Sequence, residues 1–486
     1  MGVIQRQGLK GTVVTGIGVL LGILSILWVQ PYFLSPEEIG LTRVLFNLSA
    51  LIAVFMPLGM ANATTRFFPL FRDQTNGHHG FLGILLLFIL AGSALCGLIL
   101  FIFSPNIIAT YQKQSALFIH YFHWVYPLSV VLALIMVFNV YSYSSILRAT
   151  VPSIFNDIIV RVLLMALFLI YSLGYLSLDF FVVGYVLTYF IQLVLLISYV
   201  LIMDKVSIRI DWKYFIPHLK QIVSFGVFMS FVAFGSLGIK MIDSLILAGY
   251  SLKWVGIYSI AAFIPNVIEI PVLALDKIAG SVVSINIVNK NWGEVKRVYT
   301  LSVHYLFLSG GLLFLLIIFN VPHALKWLPS NYSGSEYIVL IAGVGALFQT
   351  LAGTSTAMLF NSESFVKAGF SLIALVAFNL GLNLLFIPRF GMIGAAMATA
   401  ISSVSYTSIR WILTWYEYRM HPFTPDLFKI ALLIGIVSVF TYILPAMNIP
   451  FLDITLRSLV ICLLYGLGVW IFQLAPEVVH RLKRDR

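Results

Sequence analysis

The sequence predicts an all-α polytopic membrane protein of about fourteen transmembrane helices, and three observations carry that prediction. Apolar residues make up 60% of the chain and charged residues only 10%, where a soluble domain carries about a quarter charged. Apolar runs of about 18 residues or more, the length a bilayer demands, recur from end to end. Lys and Arg are shared unequally between alternate loops, as a fixed orientation in a membrane requires.

The spans are taken in order. The first, 12–33, follows a basic start, "MGVIQRQGLKGTVV", and has spanning length without a small-residue cleavage site. It therefore reads as an uncleaved helix and not as a signal peptide. The second, 43–63, is softened at its end by Pro57, Gly59 and Asn62. Spans at 81–103, 121–146, 154–174 and 180–202 complete a first half. The longest charged connection, "MDKVSIRIDWKYFIPHLKQ" (203–221), comes next and reads as an interfacial linker. Its Trp212, Tyr214 and Phe215 suit the headgroup level beside the lysines. Six further spans, 222–249, 254–276, 299–320, 336–359, 367–387 and 392–415, form a second half, and 428–446 and 454–474 add two C-terminal helices. The expected organisation is an N-terminal lobe (1–204), a linker (205–221), a C-terminal lobe (222–416), and a final helix pair with a basic tail (417–486).

With the N-terminus inside, 21 Lys and Arg fall on the cytoplasmic side and 6 outside, leaving Lys240 and Lys277 in or at the membrane. Arg410 counts among the inside set and Arg457 among the outside set. Such an asymmetry needs an even number of spans, so both termini are expected in the cytoplasm. The net charge of +11 follows from these retained cations and gives no reason to invoke nucleic acid. Cys96 and Cys462 lie in apolar spans and suggest neither a disulfide framework nor a thiolate site. His78 and His79, adjacent in a polar loop, make a poor metal site. "NYS" (331–333) matches a glycosylation acceptor, meaningful only in a host that glycosylates exported proteins. No Walker-type loop is present, so no nucleotide cofactor is expected, and an ion or substrate gradient would have to drive any transport.

The two halves resemble each other. "LSPEEIGLTR" (34–43) aligns with "YSLKWVGIYS" (250–259), placing Ser35 over Ser251 and Gly40 over Gly256. "LSLDFFVVGYV" (176–186) aligns with "FIPRFGMIGAA" (386–396), placing Gly184 over Gly394. Internal repeats of this kind belong to transporters that bind substrate between halves and rock them in turn.

Three stretches carry a resemblance to a known family. They are "QRQGLKGTVVTGIGVLLGILSILWVQPYFLSPEEIGLTRVL" (5–45), "IDSLILAGYSLKWVGIYSIAAFIPNVIEIPVLAL" (242–275) and "LNLLFIPRFGMIGAAMATAIS" (382–402). The chain resembles the multidrug/oligosaccharidyl-lipid/polysaccharide exporter superfamily, and within it the bacterial O-antigen and capsule-type polysaccharide flippases. The resemblance implies two six-helix lobes around a central cavity. It also implies translocation of a polyprenyl-pyrophosphate-linked oligosaccharide across the bacterial inner membrane, with phospholipid around it and a polysaccharide polymerase and glycosyltransferases as functional neighbours. Lipid II flippases are similar too, but carry an arginine cluster in their first two helices. Here the first span has no charge after Lys10 and the second only Arg43, a departure that speaks against lipid II. Gly391, Gly394, Ala395 and Ala396 read as residues that let helices approach closely.

An ionised side chain at mid-membrane costs about 2.5–3.5 kcal/mol on insertion scales, so each one asks for a reason. Lys240 and Asp243, three apart in "GIKMIDSLIL", share a helix face about 10–15 Å from the outer end of their span. Lys240 is a candidate for the pyrophosphate, with Asp243 holding it or titrating; a paired charge that merely orients the helix is the competing role. Glu269, between Pro265 and Pro271, sits where two prolines bend the helix and free backbone groups, and is a candidate coupling site for a proton or sodium ion. Arg43 and Asn47, one turn apart, and Arg148 at the inner end of the fourth span are candidate cavity residues. Asp157 with Arg161 opens the fifth span and Arg66 flanks the second; these inner arginines could equally bind anionic headgroups, Tyr141 and Tyr143 suit the interface, and Asp276 and Lys277 read as interface anchors. Two other functions compete: a cation-coupled multidrug exporter of the same fold, and a polytopic enzyme, which the short outer loops disfavour.

Overall fold

The structure, a computed structural model, describes residues 14–146, 150–445, 447 and 449–475, with the backbone alone at 277, 278 and 281. Among these residues every regular element is helical, and twelve helices are long and apolar enough to cross a membrane. The chain divides into two compact units, Met1–Ser259 and Ile260–Arg486.

The first unit contains α1 (Val14–Phe33), α2 (Pro36–Ala53), α3 (Met60–Phe71), α4 (Phe81–Tyr111), α5 (Val125–Ser145), α6 (Thr150–Ser172), α7 (Leu178–Met203) and α8 (Trp212–Ala248). Ser35 starts α2 with a full capping box, its Oγ accepting from the Glu38 N–H while Glu38 accepts from the Ser35 N–H at 2.7 Å. The expected second span is two helices, because the chain turns at 54–59 before α3. Leu58 and Gly59 both have positive φ there, and Gly59 lies so close to Gly226 of α8 that a Cβ would stand 1.9 Å from the Gly226 carbonyl. Only glycine fits that position.

Gly40 and Gly256 explain the first repeat. A Cβ on Gly40 would stand 2.1 Å from the Leu252 carbonyl oxygen, and one on Gly256 would stand 1.9 Å from the Pro36 carbonyl oxygen. Each glycine lies over the first turn of the other's helix, a reciprocal backbone contact of the small-residue type.

α9 (Leu252–Phe263) leads into the second unit. A 3-10 turn at Ile264–Glu269 separates it from α10 (Ile270–Val288), with Pro265 and Pro271 each near the start of its element, the bend that two prolines six apart predict. There follow α11 (Trp292–Ala324), α12 (Glu336–Thr350), α13 (Ser355–Phe360), α14 (Phe365–Phe390), α15 (Met392–Tyr418), α16 (Pro425–Ile443) and α17 (Pro450–Ile471).

The expected tenth span is also broken, at 351–354, with Gly353 at φ +53°. Trp411 donates to the freed Leu351 carbonyl at 2.9 Å, and the Thr354 N–H donates to Ser302 Oγ at 3.0 Å. Side chains thus satisfy the backbone that the break exposes. At the α14–α15 corner Gly391 has φ +57°, while Gly394 leaves no room for a Cβ beside the Phe386 carbonyl and Ala395 and Ala396 are fully buried. These four residues are structural, as their sizes suggested.

The C-terminal pair packs onto α11 through a core that includes Val303, Leu315, Ile430, Val437 and Ile461. Tyr465 donates to the Leu308 carbonyl at 2.7 Å. Arg457, expected among the outer loop cations, is instead buried: its Nε meets Asp453 at 2.6 Å and its other nitrogens donate to the carbonyls of Thr441, Leu444 and Pro445. His323 of α11 holds the same carboxylate at 2.9 Å. A buried charge is tolerable when it is paired and its remaining protons are used, and Arg457 meets both conditions.

Candidate functional site: polar centres inside the spans

Each unit contains its own cluster of polar and charged groups at membrane depth. In the first unit Arg43 of α2 donates to Gln30 of α1 at 3.3 Å and feels the phenols of Tyr185 and Tyr189 on α7. Tyr185 donates to the Thr42 carbonyl at 3.4 Å and lies 3.5 Å from the Tyr189 hydroxyl. Asn47, one turn on from Arg43, is buried.

The chain of contacts continues along α7 to Gln192, whose amide donates to Asn156 of α6. Asn156 and Asn139 of α5 form a reciprocal amide pair at 2.9 and 3.2 Å. Tyr185, Tyr189 and Gln192 stand at i, i+4 and i+7, so one face of α7 turns polar groups inward. Asn156 and Asp157 lie in a π-helical turn, Phe155–Ile159, and α1 has another at Ser25–Val29. Such bulges often mark functional sites. Gly18 and Gly22 of α1 open the space for Asp157 and Arg161: a Cβ on Gly18 would stand 2.6 Å from Asp157 Cβ, and one on Gly22 would stand 2.5 Å from the Arg161 guanidinium.

On α8, Asp243 is 2% exposed and accepts from Tyr258 Oη at 2.8 Å, while Lys240, one turn earlier, is exposed. Arg148 lies outside the described residues. The two histidines set aside as a metal site have a different role. Residues 77–80 all have positive φ, a costly run for two histidines. His78 is buried against Asp204 at 3.1 Å, and His79 stacks on Tyr214 at 4.1 Å. Together they clasp the linker that precedes α8.

In the second unit Arg410 of α15, read as an inner topology signal, is 7% exposed. It donates to Thr356 at 2.8 Å and Thr407 at 3.2 Å and stacks over the Tyr406 ring at 4.2 Å. Asp276, Glu269 and Tyr299 act on it electrostatically. Glu269, the sequence's coupling candidate, thus sits with a buried arginine that sequence reasoning missed. Asp276, expected at the interface, has a buried Oδ1 instead. Elsewhere between α14 and α15, Asn379 donates to Ser402 at 3.0 Å and Asn383 to Asn379.

The second unit also holds a cavity of about 720 Å³ between α10, α11 and α17. Its walls are almost wholly apolar, with Pro271, Leu275, Leu306, Leu312 and Val469 among them and Tyr305 and Ser309 at hand.

No protein-family model matches the chain, and no curated protein does. Solved structures do. The lipid II flippase MurJ in an inward closed conformation superposes with a TM-score of 0.70 at 16% identity, over 95% of this chain and 98% of that one. An inward-facing multidrug-resistance MATE transporter of the MOP superfamily gives 0.63 at 16% identity, over 83% and 94%. The fold is that of the MOP superfamily. A mutant of the Vibrio cholerae MATE transporter VcmN gives 0.59 at 14% identity, over 88% and 100%. At these identities the MOP likeness speaks for the architecture alone, so the chemistry must come from the residues described above.

Proposed function

We propose that this MOP-fold chain is a transporter that moves polyprenyl-pyrophosphate-linked oligosaccharide units from the inner to the outer leaflet of the bacterial inner membrane, by alternating access and with both termini in the cytoplasm. The observation that carries the reading is the apolar cavity between α10, α11 and α17. Its 720 Å³ falls within the range of about 300–1,000 Å³ typical of ligand sites, and its walls suit a hydrocarbon chain with no charge to offer a cation. Lys240, exposed on α8, together with Arg43, Asn47 and Arg148, would receive the anionic headgroup and its sugars, and Asp243 and Glu269 would carry a coupling ion.

A lipid II flippase is the second reading, favoured by the extent of the MurJ superposition. Against it stands the first pair of helices, where α1 and α2 contain Arg43 as their one basic residue among those described. A cation-coupled drug exporter would be expected to place an unopposed carboxylate in its binding chamber, whereas Arg43, Arg161 and Arg410 all lie within the polar centres here. In a host that depends on this chain for surface polysaccharide, Lys240→Ala should abolish the polymer while the protein still inserts at normal levels. Normal polysaccharide from a normally inserted Lys240→Ala protein would remove Lys240 from the substrate path.

A further inference from the structure

The loop before α4 and the linker after α7 enclose a polar cavity of about 540 Å³, inside the range of about 300–1,000 Å³ usual for small-molecule sites. Asn76 and His79 line it from the loop, and Ser207, Arg209, Asp211 and Trp212 line it from the linker. The two walls are fastened to each other, so the cavity is preformed. The Asp211 N–H donates to the His79 carbonyl at 3.1 Å, and buried His78 holds Asp204 at 3.1 Å. Gly80, at φ +71°, lies so close to the linker that a Cβ would stand 2.1 Å from the Arg209 carbonyl oxygen. A site that needs no ordering keeps more of its interaction energy as affinity.

Its polar groups are unequally spent. Asp73, which His79 approaches at 3.7 Å, accepts through both oxygens from Thr75 and Asn76. Asp211 caps the Tyr214 N–H with one oxygen and faces His79 with the other at 3.4 Å. The Arg209 guanidinium, in contrast, has no hydrogen-bond or ion-pair partner among the described residues. What the cavity has left to offer is a planar fork of N–H donors, the group that matches a phosphate.

The surroundings say which phosphate. Three spans end here: α4 opens at Phe81, α7 closes at Met203 and α8 opens at Trp212, which puts the cavity at a membrane surface. Ile208, Trp212 and Ile216 expose apolar side chains along this stretch, and Lys205, Arg209 and Lys213 expose cations. A soluble anion would leave those apolar side chains in water. A lipid phosphate brings acyl chains to cover them and an anionic surface to meet the cations.

We propose that this cavity binds the headgroup of an anionic phospholipid, with the Arg209 guanidinium on the phosphate oxygens. Asn76, whose amide nitrogen is already spent on Asp73, accepts from a headgroup hydroxyl through Oδ1. The bound headgroup touches both walls, so the linker cannot lift from the loop without losing it.

The test uses the purified full chain in nanodiscs and needs no transport substrate. Amide exchange at Asp211, whose N–H is released when the linker lifts from His79, is compared between phosphatidylcholine discs and discs that also carry phosphatidylglycerol, each variant serving as its own reference. A ligand at about ten times its half-saturating level slows such an opening about tenfold. That slowing should appear in the wild type and vanish in Arg209→Gln, whose exposed side chain has no partner among the described residues to lose. Lys213→Gln removes a neighbouring cation that does not line the cavity and should keep the slowing. Free glycerol phosphate, the headgroup without its chains, should not reproduce it in phosphatidylcholine discs. No slowing in the wild type, or equal slowing in Arg209→Gln, overturns the proposal. So does its loss in Lys213→Gln, which would leave only diffuse charge, and so does an equal effect of free glycerol phosphate, which would make the ligand a soluble anion.

Discussion

Replacing Gly40 by alanine perturbs a single contact whose geometry is fixed. The added methyl would stand 2.1 Å from the Leu252 carbonyl oxygen, more than about 1 Å inside an ordinary van der Waals separation. That obstacle is backbone and has no rotamer to escape into. In a helix interior the exchange would otherwise gain about 1 kcal/mol from intrinsic propensity. Overpacking a tight contact costs about 1–3 kcal/mol, and an immovable neighbour puts this case at the upper end. The net expectation is a loss of about 1–2 kcal/mol, a factor of about 5–30 in the equilibrium. Gly435 provides the control, because it lies within α16 with nothing within 4 Å of a Cβ. Thermal unfolding in one detergent, read by tryptophan fluorescence, should place Gly40→Ala below the wild type and Gly435→Ala at or above it. Equal midpoints for the two variants would refute the reading that this crossing is held by backbone contact.

Two further outcomes follow from the charged groups. Asp453→Asn removes the carboxylate that holds Arg457 and His323, and stranding a buried cation costs about 3–5 kcal/mol; trypsin should then cleave after Arg457 at temperatures the wild type resists, and unchanged resistance would mean the carbonyl contacts of Arg457 suffice. In the loop before α4, hydrogen bonds from the side chains of Thr75 and Asn76, aided by their backbone N–H groups, hold the Asp73 carboxyl down to about 2. The folded value lies below the free one of 3.8, so this ordering is complete above that pH and is lost as pH falls through about 2. Amide exchange at Thr75 and Asn76, taken relative to Asp73→Asn, should show protection at pH 5 that disappears near pH 2, and protection independent of pH would contradict the assignment.

Much of the architecture was legible because hydropathy and proline act locally. Most of the expected spans recur as helices, the bend between Pro265 and Pro271 is a 3-10 turn, and Gly40 and Gly256, aligned only as repeat positions, are found to touch each other's helices. The break at 351–354 was not legible. "LAGTST" contains no proline, and the interruption depends on Trp411 and Ser302, 60 and 52 positions away from their partners in sequence, taking up the freed backbone groups. Arg410 was misread for a related reason. Loop counting treats every cation near a helix end as a topology signal, whereas Thr356 and Tyr406 draw this one inside. Arg457 follows the same logic at the other side, drawn in by Asp453. The amide chain through Asn139, Asn156 and Gln192 did leave a trace, since Tyr185, Tyr189 and Gln192 recur at helical spacing in an otherwise apolar span. That pattern marks an inward polar face, but its partners on α5 and α6 come only from packing.

Transbilayer movement of a defined lipid-linked sugar is the most direct test of the proposed function. Purified protein would be reconstituted into liposomes containing a polyprenyl-pyrophosphate oligosaccharide, and a membrane-impermeant glycosidase or lectin would report the fraction exposed outside. The account predicts that exposure rises with the wild type, stays at the protein-free level with Lys240→Ala, and is not inhibited by excess amphipathic cation. Wild-type vesicles that leave the lipid-linked sugar in place while accumulating or extruding a cationic drug would contradict it.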